Sequence, residues 1–281
     1  MIRPLVRWSI TLGAAGAAFF SWGAIENLQA IALPQAEIIK KLEPVPVFAI
    51  TDEQGVPLVA ASEENKDMVT GVFISKKDAS QFVEKLKTEN PELAQKVKVV
   101  LSSLGKVYEL AESAKGKENA LSFAYVPEAE AVTSAKTITE GDEQSYQGGV
   151  PLFVATGGEN KDPLSIEQNS QKVIPFFFDK QELEKVLGEI KQQQPEIADS
   201  VNIDVILLEN VIETLKTSED KTLADIVLIP SVESIKAAQS LQGSPGLPAT
   251  GEAAPGAAGE ATPEAAPEAA PEADPEAAPA E

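Results

Sequence analysis

Apolar positions along this chain come in short runs, broken by polar turns and by stretches of helical period, and the series occurs twice. The first copy opens with Val45 to Thr51, a β-branched and apolar run, followed by Asp52-Glu53-Gln54-Gly55. Acidic residues and glycine between two apolar runs predict a hairpin turn, with Val56 to Ala61 as the returning strand. Met68 to Ile74 forms a third strand. Ser75 and Asp78 then begin a helix in the manner of a capping box. In that helix Ala79, Phe82, Val83 and Leu86 recur at i, i+3, i+4 and i+7, one apolar stripe for the core. Pro91 prevents a simple continuation. A fourth strand (Val97 to Leu101), a helix (Leu104 to Glu112), a fifth strand (Leu121 to Val126) and a short helix from Glu128 to Ala135 complete the unit.

The second copy starts about 105 positions later, where Val150-Pro151-Leu152-Phe153-Val154-Ala155-Thr156 echoes Val45-Pro46-Val47-Phe48-Ala49-Ile50-Thr51. Its helix is capped by Asp179 and striped by Leu183, Val186, Leu187 and Ile190, with Gln194-Pro195-Glu196-Ile197-Ala198 answering Asn90-Pro91-Glu92-Leu93-Ala94. Val201 to Leu207, Leu208 to Leu215, Ala224 to Ile229 and Val232 to Leu241 repeat the remaining strand–helix–strand–helix. Solenoid repeats run about 20–50 residues, whereas a unit of about 100 can enclose a core of its own. Strands in succession and then strands alternating with helices specify an α+β class. The chain thus reads as two pseudo-twofold-related repeats, each a mixed sheet with helices packed on one face. Phe48 and Phe153 should be equivalent and buried, as should Leu86 and Ile190. A groove between the two lobes is the expected place for binding, and Tyr146 to Gly149 the expected hinge.

The ends have a different character. Arg3 and Arg7 precede an uncharged run from Trp8 to Ile25, and Ala30-Ile31-Ala32 offers a small-x-small cleavage site, the pattern of a secretory signal. Residues 1–32 are therefore assigned to a signal peptide, with an uncleaved anchor as the alternative. Residues 33–147 form the first lobe and 148–242 the second. From 243 to 281 the chain is Pro, Ala, Gly and acid, with Pro263-Glu264-Ala265-Ala266 recurring at Pro267, Pro271 and Pro275. So few large apolar groups cannot offset chain entropy, which predicts a disordered acidic tail. The whole chain carries 44 acidic against 23 basic residues, a net charge of −21. That charge repels phosphate backbones and anionic lipid surfaces, so no nucleic-acid partner is expected. The uncharged leader run falls just short of a span, so no stable membrane span is expected after signal cleavage.

The sequence holds no histidine and no cysteine. This excludes Ser-His-Asp and Cys-His nucleophilic sites, His-ligated zinc, thiol redox chemistry and disulfides. Gly157-Gly158-Glu159-Asn160 precedes no helix and reads as a turn, not a phosphate loop. The acidic pairs Asp52-Glu53 and Glu63-Glu64 lack the spacing of a calcium loop. No catalytic, cofactor or metal residue is assigned. A hydrolase built on two carboxylates about 5–10 Å apart needs only Asp and Glu, but aromatic residues for stacking sugars are only 5% of the chain. Apolar surface remains as a working part. Phe176, Phe177 and Phe178 are consecutive on one strand, so Phe177 points opposite to its neighbours, and Phe73 is its first-lobe equivalent. Helices on one sheet face would leave part of this set, Phe73, Phe176, Phe177 and Phe178, exposed as a client-binding surface; a strand covered on both faces is the competing reading.

Three features taken in order resemble one family. They are Val45 to Thr51 soon after an export signal, its echo at Val150 to Thr156, and Val173-Ile174-Pro175-Phe176-Phe177-Phe178-Asp179 ahead of the Leu183 helix. Together they are similar to the Tic twenty-two family, over about residues 40–242. The resemblance implies no enzyme. Plastid members are implied to be intermembrane-space factors assisting preproteins across the envelope. Cyanobacterial members are implied to be periplasmic, chaperone-like proteins of outer-membrane biogenesis. The leader resembles a bacterial signal and not a transit peptide, which implies a cyanobacterial periplasm, with the thylakoid lumen as the other compartment. Implied partners are unfolded or extended exported proteins and the outer-membrane barrel-assembly protein. A structural adaptor that docks on that machinery without binding clients is the alternative.

Overall fold

The computed structural model describes residues 33–61, 68–117, 121–142, 145–158, 162–168, 171–193, 201–218, 220–241 and 247. The expected signal peptide, the Pro195 segment, Glu63-Glu64 and the tail beyond Leu247 lie outside the described residues.

The first half builds a five-stranded sheet from β1 (Pro46–Asp52), β2 (Val59–Ala61), β3 (Met68–Phe73), β4 (Val97–Ser103) and β5 (Leu121–Val126). β4 runs antiparallel to β1 along its length, from Pro46 opposite Ser103 to Asp52 opposite Val97. β1 meets β3 at Phe48–Phe73 and Ala49–Val72, beyond which β2 lies beside β3. β5 runs parallel to β3. At the β1–β2 turn the Val56 N–H donates to Asp52 Oδ1 (2.8 Å), and Gly55 adopts a φ of 90° that side chains disfavour.

The second half repeats this with β6 (Pro151–Gly157), β7 (Asp162–Pro163), β8 (Ile166–Gln168), β9 (Gln171–Phe177), β10 (Val201–Leu207) and β11 (Ile226–Ile229). The order β10-β6-β9-β11 matches β4-β1-β3-β5, with β10 antiparallel to β6 and β11 parallel to β9. Registers correspond too, since Phe153 faces Phe177 as Phe48 faces Phe73. Even single links recur. The Leu104 and Leu208 N–H groups donate to Val45 O and Val150 O, both at 2.8 Å. Ile74 and Phe178 donate to Val126 O (3.1 Å) and Ile229 O (3.0 Å). A mixed-sheet α+β repeat is what the structure shows.

The helices are α1 (Gln35–Leu42), α2 (Lys76–Glu89), α3 (Pro91–Ala94), α4 (Leu104–Ala114), α5 (Ala129–Ile138), α6 (Lys180–Gln193), α7 (Leu208–Thr217) and α8 (Val232–Leu241). Ser75 caps α2 by accepting from the Lys77 and Asp78 N–H groups, and Asp179 accepts from Gln181 N–H (2.8 Å) at the start of α6. α1 is not among the helices expected from the sequence. It buries Ile38 and Leu42 and runs so close to α4 that a Cβ on Gly105 would sit 2.7 Å from Ile39 O.

The packing departs from two self-contained lobes. The largest core joins both halves: Val47, Val72 and Ile74 of the first sheet, Leu152, Val154, Phe176 and Phe178 of the second, and α1, α4 and α7. The expected inter-lobe groove is filled by this core. Lys41 of α1 ties the halves further, donating to Ala224 O (2.6 Å) and Ile226 O (3.1 Å), and burial lowers its pKa. The outer sheet faces are covered by exchange. Phe48, Ile50 and Phe73 of the first sheet pack with α2 and with Ala237 and Leu241 of α8, the last helix of the second half. Phe153, Ala155 and Phe177 of the second sheet pack with Leu183 of α6 and with Ala131 and Ala135 of α5, the last helix of the first half. Helices therefore meet both faces of each sheet, one more than the helical stripes alone specify. Ile190, expected to match the buried Leu86, is half-buried.

Candidate functional site

The four phenylalanines expected to form an apolar surface are in the core. Phe73 is 6% exposed, Phe176 4%, and Phe177 and Phe178 2% each. Strand alternation sends Phe176 and Phe178 into the central core and Phe177 to the outer face, where α5 and α6 cover it. Phe73 is covered in the same way by α2 and α8. The expectation of exposure is corrected, because it assumed one bare sheet face and the exchanged helices leave none. The competing reading, a central strand buried on both faces, is the one the structure supports.

Exposed apolar side chains lie elsewhere. Among the described residues the large ones are Phe82 of α2 (39% exposed) and Val232 and Ile235 of α8 (48% and 38%). Phe82 belongs to a stripe expected in the core, yet only its inner edge is engaged, against the Phe73 ring with centroids 5.7 Å apart. Ile235 stands on the wall of an open groove where α8 passes the end of the first sheet. Pro44, Pro46, Leu101, Ala238 and Leu247 supply its other apolar lining, with Glu43, Lys106 and the Ser102–Ser103 end of β4 at the polar side. Among the described residues β4 is an outermost strand of its sheet. Ser103 joins the groove to α1 by donating from its hydroxyl to Glu43 Oε2 (2.8 Å), while its oxygen caps α4 by accepting from Lys106 N–H (3.0 Å). A groove with proline and aliphatic walls suits an apolar segment, whose side chains it can bury. Among the described residues no group of three or more His, Cys, Asp or Glu is arranged to hold a metal.

Sequence reasoning did not single out this groove. Its residues come from α1's end, β1, β4, α4 and α8, distant in the chain, and Ile235 looks like part of an ordinary amphipathic stripe. Only the Pro44–Pro46 pair at the mouth of β1 is a local signal.

The chain matches the Tic22-like family over residues 16–242. It belongs to that family. The resemblance read from the apolar repeats is thereby shown. As a Tic22-like protein it is 27% identical over 200 residues to the Arabidopsis thaliana "TIC 22-like, chloroplastic" protein, covering 69% of this chain and 60% of the relative. It is 22% identical over 202 residues to the Pisum sativum "TIC 22, chloroplastic" protein, covering 72% and 75%. The chain thus spans three-fifths of the Arabidopsis relative's length. Among solved structures, Anabaena Tic22, described as a protein of protein transport, matches with a TM-score of 0.66 and 26% identity, covering 76% of this chain and all of the other. Tic22 from Plasmodium falciparum shares the fold, with a TM-score of 0.60 at 23% identity over 73% of this chain and 96% of the other. Both plant relatives carry chloroplastic names, and no helix among the described residues of this Tic22-like chain is long and apolar enough to cross a membrane.

Proposed function

We propose that this Tic22-like chain is a non-enzymatic protein-transport factor of the cyanobacterial periplasm, which escorts extended segments of exported proteins toward the outer membrane. The observation that carries the reading is the likeness to Anabaena Tic22, a transport protein matched over its full length. The groove beside Ile235 supports it, as an open groove with apolar walls at the end of the first sheet is a surface an unfolded segment can enter. In this reading clients are held by burial of their apolar side chains, and the acidic surface keeps the loaded protein soluble. Contact with the barrel-assembly protein would deliver the client.

The test is suppression of aggregation of an unfolded outer-membrane protein at equimolar ratio, followed by light scattering. Suppression that survives high salt and is lost in the Ile235→Asp variant is the expected result. No suppression by the parent protein overturns the reading. Salt-sensitive binding to the periplasmic domain of the barrel-assembly protein, without client suppression, identifies an adaptor instead, because exposed charge contacts weaken as ionic strength rises.

A further inference from the structure

The two crossovers that exchange helices between the halves meet at one place and are chemically unequal. β11 passes through Pro230 and Ser231 into α8, and the buried Ser231 hydroxyl accepts from Ser234 N–H (3.2 Å). β5 passes through Pro127 and Glu128 into α5, where the Glu128 side chain makes no capping bond. Glu128 is only 9% exposed; its carboxylate has no hydrogen-bond or ion-pair partner among the described residues and keeps a small contact with solvent.

Its surroundings are acidic. Glu233 of α8, Asp78 of α2, Asp179 ahead of α6 and Glu130 of α5 all act on it electrostatically. The starts of α2 and α5 meet through the Asp78–Ala129 contact, and those of α6 and α8 through Glu182 and Val232. The neighbours are otherwise engaged: Asp78 Oδ2 accepts from Ala129 N–H (3.3 Å), Glu182 of α6 from Val232 N–H (2.7 Å), and Glu130 pairs with Lys77 (2.7 Å). Lys77 also faces Glu233 and Asp78, and Lys185 faces Glu182. Neither cation bonds to Glu128.

We propose that Glu128 is a proton-operated clasp between the two halves: protonated, it lets the crossover close with α5 and α8 seated on each other's sheets; ionised, it is repelled by the facing carboxylates and both helices loosen. Burial first, and then the charge of Glu233, push its pKa up to about 7. A carboxyl whose folded pKa lies above its unfolded value stabilises the closed state fully below the unfolded pKa. That contribution is lost as the pH rises through about 7. The chain has no histidine or cysteine to titrate in the same window.

Hydrogen exchange on the full chain, corrected for the intrinsic pH dependence of the chemistry, tests the clasp. Raising the pH from 6 to 8 should increase the opening equilibrium of the first α5 and α8 amides about tenfold. The amides of β1 and β4 should not follow. Glu128→Gln should abolish the rise, and Glu233→Gln, at an exposed position, should reduce it. A flat response in the parent overturns the clasp, as does a rise that persists in Glu128→Gln. If Glu128→Gln does not fold, an undiminished rise in Glu233→Gln overturns it equally. Client suppression is not involved, so failure of the clasp and failure of the transport reading are separable.

Discussion

Phe48 and Phe153 are both fully buried, and each lies opposite a second phenylalanine on the neighbouring strand, Phe73 and Phe177. Truncating either Phe48 or Phe153 to alanine should cost about 3–5 kcal/mol, through lost burial and the cavity left behind. Urea unfolding of the two variants measures this. A cost below about 1 kcal/mol at one position and a full cost at the other would break their equivalence. Strand alternation in the sequence already placed Phe177 opposite to Phe176 and Phe178. It could not say that both faces are covered, because the residues covering Phe177 include Ala131 and Ala135, far back in the chain. Burial of a side chain depends on what arrives from elsewhere, and that is why the expected surface became core.

Most of the elements are legible because their signals are local. The Ser75 and Asp179 caps and the turn at Gly55 appear where the sequence puts them, and the helical stripes hold at Ala79, Leu86 and Leu183 while Phe82 stays exposed. α1 went unread, since eight residues with two buried positions give the helical period little room to show. The partner of Asp78 was also beyond local reasoning. In a capping box it would turn back on its own helix, but here it accepts from Ala129 N–H at the start of α5. Glu182 does the same for Val232 N–H at the start of α8. Glu182→Ala should therefore destabilise α8 by about 0.5–2 kcal/mol, the usual worth of a helix cap. Exchange of the amides of residues 232–241 should rise, and so should exposure of Leu241 against the first sheet. Faster exchange confined to α6 would show that the contact does not hold α8.

At the scale of the molecule the duplication is real but the halves are not separable. Residues 33–147 lack one of the two helices that cover their outer sheet face, and residues 148–242 lack one of theirs. The largest core is split between them. Each fragment expressed alone should fail to unfold cooperatively, as followed by calorimetry, whereas the two mixed should recover a single transition. A sharp independent transition in either fragment would contradict the exchanged packing. The sequence revealed the repeat through order and spacing. It could not reveal the exchange, since a helix packed on its own sheet and one packed on its twin's carry the same apolar stripe.

A ribosome makes the chain from one end, and the exchange gives that direction a consequence. Phe48 and Phe73 are made early, yet their cover, Ala237 and Leu241, comes almost last. Before that the outer face of the first sheet has only α2 to cover it. Until α8 emerges, the outer face of the first sheet lacks part of its cover. A fold whose halves exchange their last helices thus stays incomplete for nearly the whole of its synthesis.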